Sequence, residues 1–204
     1  MDKTLNLSAL IMGAGLSSRL PGANKLLLDW QGKPILTHTI SNVLAAGFQE
    51  VLLVLGNNED EIKSVLKGYG NELKIIINPD YKKGLTSSIQ QGVNAADDQT
   101  HGFIICLGDM FDIKGLDYAK LARYHLLKTP EEELITLPKV GDQIGNPVIF
   151  SQSFRSRIMG HDDPEGCKLI VKAAMHSVQY FKSNTLQFLQ DIDTWNDYHR
   201  LSER

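Results

Sequence analysis

Short apolar runs alternate with stretches of helical periodicity along most of the chain. The apolar runs have the length and composition of buried strands. They lie at residues 7–12, 51–55, 73–77, 103–107 and 134–138. The stretches between them predict helices at residues 34–46, 58–67, 84–96 and 116–127. Strands that alternate with helices in this way are typical of βαβ units, so the pattern predicts a mainly parallel sheet.

The alternation becomes irregular after about residue 130. The run 147–150 follows a turn at 141–142, which predicts a hairpin or a reversed strand. Further elements are predicted as helices at 153–159 and 168–175, a strand at 178–181, and a last helix capped by Thr194. We therefore predict a mixed sheet within a single domain over residues 1–204, because this length suits one core.

Composition narrows the class of protein. Apolar residues make up 42% of the chain and the net charge is −3, which is ordinary for a globular protein and gives no support for a nucleic-acid surface. No apolar stretch approaches the length of a membrane span, and the N-terminus lacks the order of a signal peptide. Cys106 and Cys167 lie far apart in sequence, so we expect free thiols in a cytoplasmic protein.

The loop after the first predicted strand combines glycines with fixed positive charge. Gly13, Gly15 and Gly22 allow tight turns and close approach to a ligand, because they have no Cβ. Arg19 can grip phosphate oxygens with two donors, and Lys25 adds a compact charge. Free backbone N–H groups in such a loop also attract anions. The loop therefore suits a polyphosphate.

Two common nucleotide loops do not fit this sequence. The dinucleotide fingerprint G-x-G-x-x-G requires glycine where Ser18 stands. No window matches the P-loop pattern G-x-x-x-x-G-K-[ST]. A plain glycine-rich turn at the surface remains the simpler alternative to a phosphate loop.

Carboxylates occupy two positions suited to a metal. Asp109 follows the apolar run 103–107, and ligands of open α/β sheets bind beyond the carboxyl ends of strands. A carboxylate there can hold Mg²⁺, although an aspartate in this place can also cap a helix. Asp191 and Asp193 are two residues apart and point the same way on an extended segment. Capping of the last helix is the alternative for Asp193, and we expect a structural role for Asp191.

Residues 78–88 combine a strand end, a turn and a helix start rich in hydroxyl groups. Unpaired N–H groups at such a helix start attract anions. Capping by the Thr86 hydroxyl is an alternative that does not exclude the first. We expect Lys82 and Lys83 to be solvated charges.

Four segments together resemble the motifs of one enzyme family. Residues 12–20 and 24–28 resemble L-A-A-G-x-S-x-R-M-G-x-x-K-L-L-L, and residues 108–110 resemble G-D-M-P without its proline. Residues 78–88 resemble N-P-x-x-x-x-G-L-x-S-S, and residues 191–198 resemble D-I-D-T-P-E-D-Y. These motifs belong to nucleotidyltransferases that act on the molybdenum cofactor, especially the cytidylyltransferase branch.

The resemblance implies a fold and a reaction. The fold would be a three-layer α/β/α sandwich of the nucleoside-diphospho-sugar transferase (GT-A-like) type with a mixed, mainly parallel sheet. The reaction would be Mg²⁺-dependent transfer of CMP from CTP to the terminal phosphate of a molybdopterin acceptor, with release of pyrophosphate. A molybdoenzyme or its chaperone is a possible recipient of the product. No nucleic acid or membrane partner is implied.

The resemblance also implies site residues. Arg19, Lys25 and Asp109 would be catalytic, and Asp109 with Asp193 would hold the metal. The nucleotide-binding set would be Met12, Gly13, Ala14, Gly15, Ser17, Arg19, Lys25, Asn78, Ser87, Ser88 and Gly108. Residues 145–150 resemble R-G-N-P-V, a segment that in the family shapes the acceptor pocket, with Ile144 in place of the arginine. Residues 160–168 match a G-D-x-G-A-R loop only loosely.

Three alternatives stay open at this point. The same fold and loop serve guanylyl transfer to the same cofactor, and cytidylyl or uridylyl transfer to other small phosphates or sugars. A nicotinamide-dependent oxidoreductase is disfavoured by the missing third glycine. A non-catalytic nucleotide-binding or cofactor-delivery protein would not need the four charged residues Arg19, Lys25, Asp109 and Asp193. The histidines show no H-x-x-x-H ligand pattern, so zinc is not expected.

Overall fold

The computed structural model describes residues 4–16, 20, 22–128 and 132–202. The strands are β1 (Leu5–Met12), β2 (Asp29–Trp30), β3 (Lys33–Pro34), β4 (Phe48–Leu55), β5 (Lys74–Ile77), β6 (Gly102–Leu107), β7 (Ile135–Val140), β8 (Gln143–Ile144), β9 (Val148–Ser151) and β10 (Val178–Lys182). The helices are α1 (Ile35–Ala45), α2 (Glu59–Ser64), α3 (Leu85–Ala95), α4 (Gly115–His125), α5 (Arg155–Gly160), α6 (Lys168–Ala173) and α7 (Trp195–Ser202).

The main sheet is mixed and mainly parallel, as the sequence predicts. Its order is β10-β7-β9-β6-β1-β4-β5, with β8 paired to β7. Strand β1 runs parallel to both of its neighbours, β4 and β6. Strand β9 runs antiparallel to β6 and β7, which confirms the reversed strand expected after residue 141. The carboxyl ends of β1 and β6 therefore lie side by side in the middle of the sheet.

Helices cover both faces of this sheet. Leu7, Ala9 and Ile11 of β1 belong to the core shared with α1, α2 and α4. Leu10 and Met12 of the same strand belong to the core shared with α3, α5 and α6. Successive side chains of a strand point to opposite faces, so one apolar strand contributes to two cores. The predicted three-layer α/β/α sandwich is confirmed.

The structure differs from the sequence prediction in small elements. A hairpin of β2 and β3 precedes α1, where the sequence predicts only the helix start at Pro34. In its turn, Gln31 and Gly32 have φ values of 50° and 82°. Such turns usually have Asn, Asp or Gly at the first position, so the glutamine at 31 does not indicate a hairpin. Helix α2 is shorter than the predicted 58–67. Within the described residues, no helix has the length and apolar content needed to cross a bilayer.

The C-terminal tail returns to the carboxyl end of the sheet. Its residues Ile192 and Leu201 pack in a small cluster with Leu20, Ile35 and Phe111. Thr194 caps α7 as predicted: its hydroxyl accepts from the Asp197 N–H at 3.2 Å, and the Asp197 carboxylate accepts from the Thr194 N–H at 3.0 Å. This packing fixes the segment that carries Asp191 and Asp193, because Ile192 lies between them in sequence and is fully buried.

Replacing Ile192 by alanine should test this anchor. Loss of a fully buried isoleucine should lower the free energy of unfolding by about 2–5 kcal/mol. The measurement is urea denaturation followed by circular dichroism. Ile144→Ala, at a side chain that is 54% exposed, is the matched control and should cost less than about 0.5 kcal/mol. Equal costs for the two variants would mean that the tail is not anchored through Ile192.

Candidate active site

A cavity of about 410 Å³ opens at the carboxyl ends of β1 and β6. Its wall includes many of the predicted site residues: Met12, Ala14, Gly15, Lys25, Ser88, Gly108, Asp109 and Asp193. It also includes residues to which the sequence assigned no binding role: Leu16, Leu26, Tyr81, Lys82, Gly84, Leu85, Leu107 and Asp191. Glycine backbone, two ammonium groups and three carboxylates therefore share one concave site.

Three of the predicted nucleotide-binding residues do not line this cavity: Gly13, Asn78 and Ser87. The Gly13 N–H donates to the Val54 carbonyl at 2.8 Å, and a Cβ at this position would lie 3.0 Å from the Leu55 side chain. Gly13 thus serves the close packing of β1 on β4. Ser17 and Arg19 lie outside the described residues.

Lys25 is the central charge of the site. It begins a short 3₁₀ helix, Lys25–Leu27, whose first turn is capped by the Asn24 side chain accepting from the Leu26 N–H at 3.1 Å. Its ammonium donates to Asp109 Oδ2 and lies 3.3 Å from Asp193 Oδ1. Burial by itself lowers the pKa of this ammonium, but the two carboxylates more than offset that effect and raise the pKa above 10.5. Lys25 is therefore a charged group held between two acids.

The position of Asp109 on the cavity wall is set by its neighbours in the fold. It follows β6 and is 4% exposed. The preceding residue is glycine because a Cβ at Gly108 would lie 2.8 Å from the Met12 carbonyl oxygen, at the point where β6 and β1 end together. The Thr39 hydroxyl donates to the Gly108 carbonyl at 2.9 Å and fixes this turn from α1. The carboxylate therefore has a position set by the sheet and by the layer beneath it.

Asp191 completes an acidic cluster that the sequence only half predicts. Burial, together with the negative charges of Asp109 and Asp193, raises the pKa of its carboxyl group. The side chain lines the cavity of about 410 Å³ and also a second cavity of about 380 Å³. The sequence assigned it a structural role, because no local signal shows that the tail crosses the boundary between two cavities.

The donor set of this site fits a hard divalent cation. The carboxylates of Asp109 and Asp193 converge on one cationic group, the Lys25 ammonium. Mg²⁺ prefers oxygen ligands and often takes only one or two carboxylates from the protein, with substrate phosphates and waters as the others. The described residues contain no cluster of three or more side chains with metal-ligand spacing. A cation here would therefore depend on substrate oxygens for the rest of its ligands.

The start of α3 is partly engaged by the chain itself. The Leu85 N–H donates to the Pro164 carbonyl at 2.9 Å, and the Thr86 hydroxyl donates to the Asp163 carbonyl. The Gly166 N–H in turn donates to the Thr86 hydroxyl at 3.0 Å. The loop before α6 therefore packs against the start of α3 and takes up the Leu85 N–H and the Thr86 hydroxyl, a contact between segments far apart in sequence.

The second cavity adjoins the first at Asp191. It is lined by Met110, Gln143, Ile144, Gly145, Asn146, Phe188, Leu189 and Asp191. The Asn146 N–H donates to the Phe188 carbonyl at 2.9 Å, and a Cβ at Gly145 would lie 2.2 Å from the same oxygen. The 145–147 turn and the tail therefore close around one another and form this wall together.

Comparison with known proteins shows the family to which the chain belongs. The profile of the MobA-like NTP transferase domain matches residues 9–178. The chain is 36% identical over 199 residues to the molybdenum cofactor cytidylyltransferase of Escherichia coli (strain K12), and the match covers 97% of this chain and 96% of that protein. The chain belongs to the MobA-like NTP transferase domain family.

Two further proteins are also similar to this chain. A nucleotidyl transferase from Methanothermobacter has a structure that is 19% identical, with a TM-score of 0.82 over 97% of this chain and 96% of that one. The nicotine blue oxidoreductase of Paenarthrobacter nicotinovorans is 22% identical over 95% of both chains, and its name refers to a different reaction. The family match and the fold identify this chain as a nucleotidyltransferase, as its motifs predict.

Lys25→Met should change the binding of metal in the absence of nucleotide. Removing the ammonium leaves Asp109 and Asp193 without the cation they share, so Mn²⁺ should bind at least about tenfold more tightly. Titration of free Mn²⁺ by electron paramagnetic resonance measures this directly. Lys114→Met, which removes an ammonium from an exposed pair with Asp112, is the control and should leave Mn²⁺ affinity unchanged. Unchanged or weaker binding in Lys25→Met would show that lysine and metal do not compete.

Proposed function

We propose that this protein transfers CMP from CTP to the terminal phosphate of a molybdopterin-type acceptor and releases pyrophosphate. The observation that carries the proposal is the convergence of Lys25, Asp109 and Asp193 in one cavity at the end of the glycine loop. The identity of 36% to a cytidylyltransferase across nearly the full length of both chains supports the choice of nucleotide and acceptor.

For this reaction the protein would need to position the two substrates and neutralise phosphate charge, and it would form no covalent bond with either substrate. The acceptor oxygen would attack the α-phosphorus in line as the bond to pyrophosphate breaks. Asp109 and Asp193 would hold Mg²⁺, which neutralises charge on the phosphates when it is bound. The Lys25 ammonium would turn from the carboxylates to phosphate oxygens once a cation takes its place. Arg19 would hold the leaving phosphates, as the family motif implies.

Backbone groups would contribute on the other side of the nucleotide. Ala14 and Gly15 lie on the cavity wall, and Gly15 has open space around the position of a Cβ. Their backbone can therefore approach a triphosphate closely. Ser88 would add a hydroxyl from the wall of α3, where its oxygen also accepts from the Asn78 amide at 2.9 Å. Asn78 and Ser87 would act indirectly by supporting this wall.

The second cavity is the proposed site of the acceptor. Its lining is more polar than apolar: Gln143 and Asn146 add amide groups, and Ile144 adds an exposed apolar side chain. Such a lining suits a flat heterocycle with polar edges. Because this cavity meets the first at Asp191, an acceptor bound there could bring its phosphate towards the nucleotide.

A nucleotide screen tests the proposal. The wild-type protein is incubated with Mg²⁺, molybdopterin and each of the four nucleoside triphosphates, and pyrophosphate release is followed. We expect release with CTP and little with the others. Preference for GTP would replace the proposed activity by guanylyl transfer to the same acceptor. NADH and NADPH are included as a further arm, and their oxidation with no pyrophosphate release under any condition would contradict the proposal entirely.

Asp109→Asn tests the assigned role of the buried carboxylate. The amide keeps the shape but loses the negative charge, so pyrophosphate release should fall by at least about a hundredfold, as when one preorganised electrostatic group is lost. Asp112→Asn, three residues along the same loop and paired with Lys114, is the matched control and should retain activity. Thermal unfolding of both variants checks that the fold is intact. Mg²⁺-dependent transfer at near wild-type rate in Asp109→Asn would refute the role.

A further inference from the structure

We propose that Lys82 is a further substrate-binding residue that contacts the nucleoside half of the nucleotide. The inference rests on the proposed function of the cavity, because it assumes that a nucleoside triphosphate binds there. No feature of the sequence distinguishes Lys82 from its neighbour Lys83, and both were expected to be solvated. The structure separates them: Lys82 lines the cavity, whereas Lys83 pairs with Asp80 at 3.0 Å.

The order of the strands sets the two ends of the cavity. Asp109 follows β6, whereas Tyr81 and Lys82 follow β5, three positions away along the order β6-β1-β4-β5. Neighbouring strands lie about 4.8 Å apart, and Tyr81 packs against Gly56 at the end of β4, so the turn that carries Lys82 lies two to three strand positions, roughly 10–14 Å, from Asp109 across the sheet edge. A ligand that places its phosphates at the metal-binding end would therefore extend its other half towards Lys82.

The lining differs between the two ends as the proposal requires. Charged groups dominate near β6, where Lys25 lies among three carboxylates. The wall beside Lys82 includes the Tyr81 ring and the Leu85 side chain, which come from the same turn and from the start of α3. Such surfaces suit the flat face of a base better than a phosphate chain. The donors of an ammonium group would meet the carbonyl of a base or the oxygens of a ribose.

The turn that carries Lys82 is held from several directions. Asn78 Oδ1 accepts from the Asp80 N–H at 2.9 Å, and the Ser87 hydroxyl lies 3.0 Å from the Asp80 carbonyl oxygen. Gly56, which follows β4, makes room for the ring of Tyr81, since a Cβ there would lie 2.5 Å from Tyr81 Cβ. The motif N-P-x-x-x-x-G-L-x-S-S therefore acts in this chain as a frame for the turn.

The ammonium of Lys82 is placed by an aromatic ring instead of an acid. It lies 5.9 Å from the centroid of the Tyr81 ring, a cation–π distance. Within the described part of the chain, no carboxylate lies within 4 Å of this ammonium. Lys25, the other ammonium on the cavity wall, is already engaged by two carboxylates. Lys82 is thus a charge that a ligand can use without breaking an ion pair.

The test compares two lysines on one turn. Lys82→Met and Lys83→Met are titrated by calorimetry with CTP and with inorganic tripolyphosphate, which lacks the nucleoside, both in the presence of Mg²⁺. Loss of one charge-assisted hydrogen bond should weaken CTP binding to Lys82→Met by about 5- to 20-fold. Tripolyphosphate binding should change by less than about twofold, and Lys83→Met should match the wild type with both ligands. Lys82→Arg, which keeps the charge, should recover most of the CTP affinity.

Steady-state kinetics give a second readout. Because Lys82 stands at the end of the cavity away from the reacting phosphate, Lys82→Met should raise the KM for CTP and leave kcat within about twofold. Equal CTP affinity in the two methionine variants would overturn the inference. Equal weakening of CTP and tripolyphosphate would also overturn it, since Lys82 would then bind phosphates. GTP is titrated in parallel, so a wild-type preference for GTP would contradict the proposed use of CTP while the comparison of the lysines still decides the role of Lys82.

Discussion

The site depends on one partly buried electrostatic arrangement, a lysine ammonium between two carboxylates. Three acids in a partly buried cavity repel one another, and without a cation nearby their charged forms would be costly. Lys25 supplies that cation from the loop after β1, while Asp109 and Asp193 come from β6 and the tail. Segments 168 residues apart are thus held together by charge at the point where the proposed chemistry takes place.

This arrangement would link the binding of metal to the binding of nucleotide. A divalent ion and the Lys25 ammonium would compete for the same carboxylate oxygens, so an ion that arrived alone would have to displace a well-paired group. Phosphates that arrived with the ion would offer the ammonium a new partner. The two ligands would therefore assist each other, and each would bind weakly without the other. The same lysine would stabilise the empty site and serve the occupied one.

Much of this was predictable because it is local in sequence. Apolar runs that alternate with helical periodicity predicted the mainly parallel sheet, the family resemblance implied the three-layer sandwich, and the position of Asp109 directly after a strand placed it at the carboxyl edge of the sheet. Gly108 belongs to the segment that resembles a metal motif. The structure shows why glycine is needed there, since the end of β6 lies close to the Met12 carbonyl. The capping of α7 by Thr194 also follows from residues three apart.

By itself, then, the sequence determined the mainly parallel sheet, the strand that ends at Asp109 and the family of the enzyme. Only the tertiary structure decided which further side chains complete the cavity. Lys82 and Lys83 are the same type of residue and adjacent in sequence, yet Lys82 lines the cavity and Lys83 pairs with Asp80. The loop before α6 also packs on the start of α3 and accepts a hydrogen bond from the Leu85 N–H, a contact that no local signal predicts. Such outcomes depend on contacts between segments far apart along the chain, and periodicity and motif spacing carry no information about those contacts.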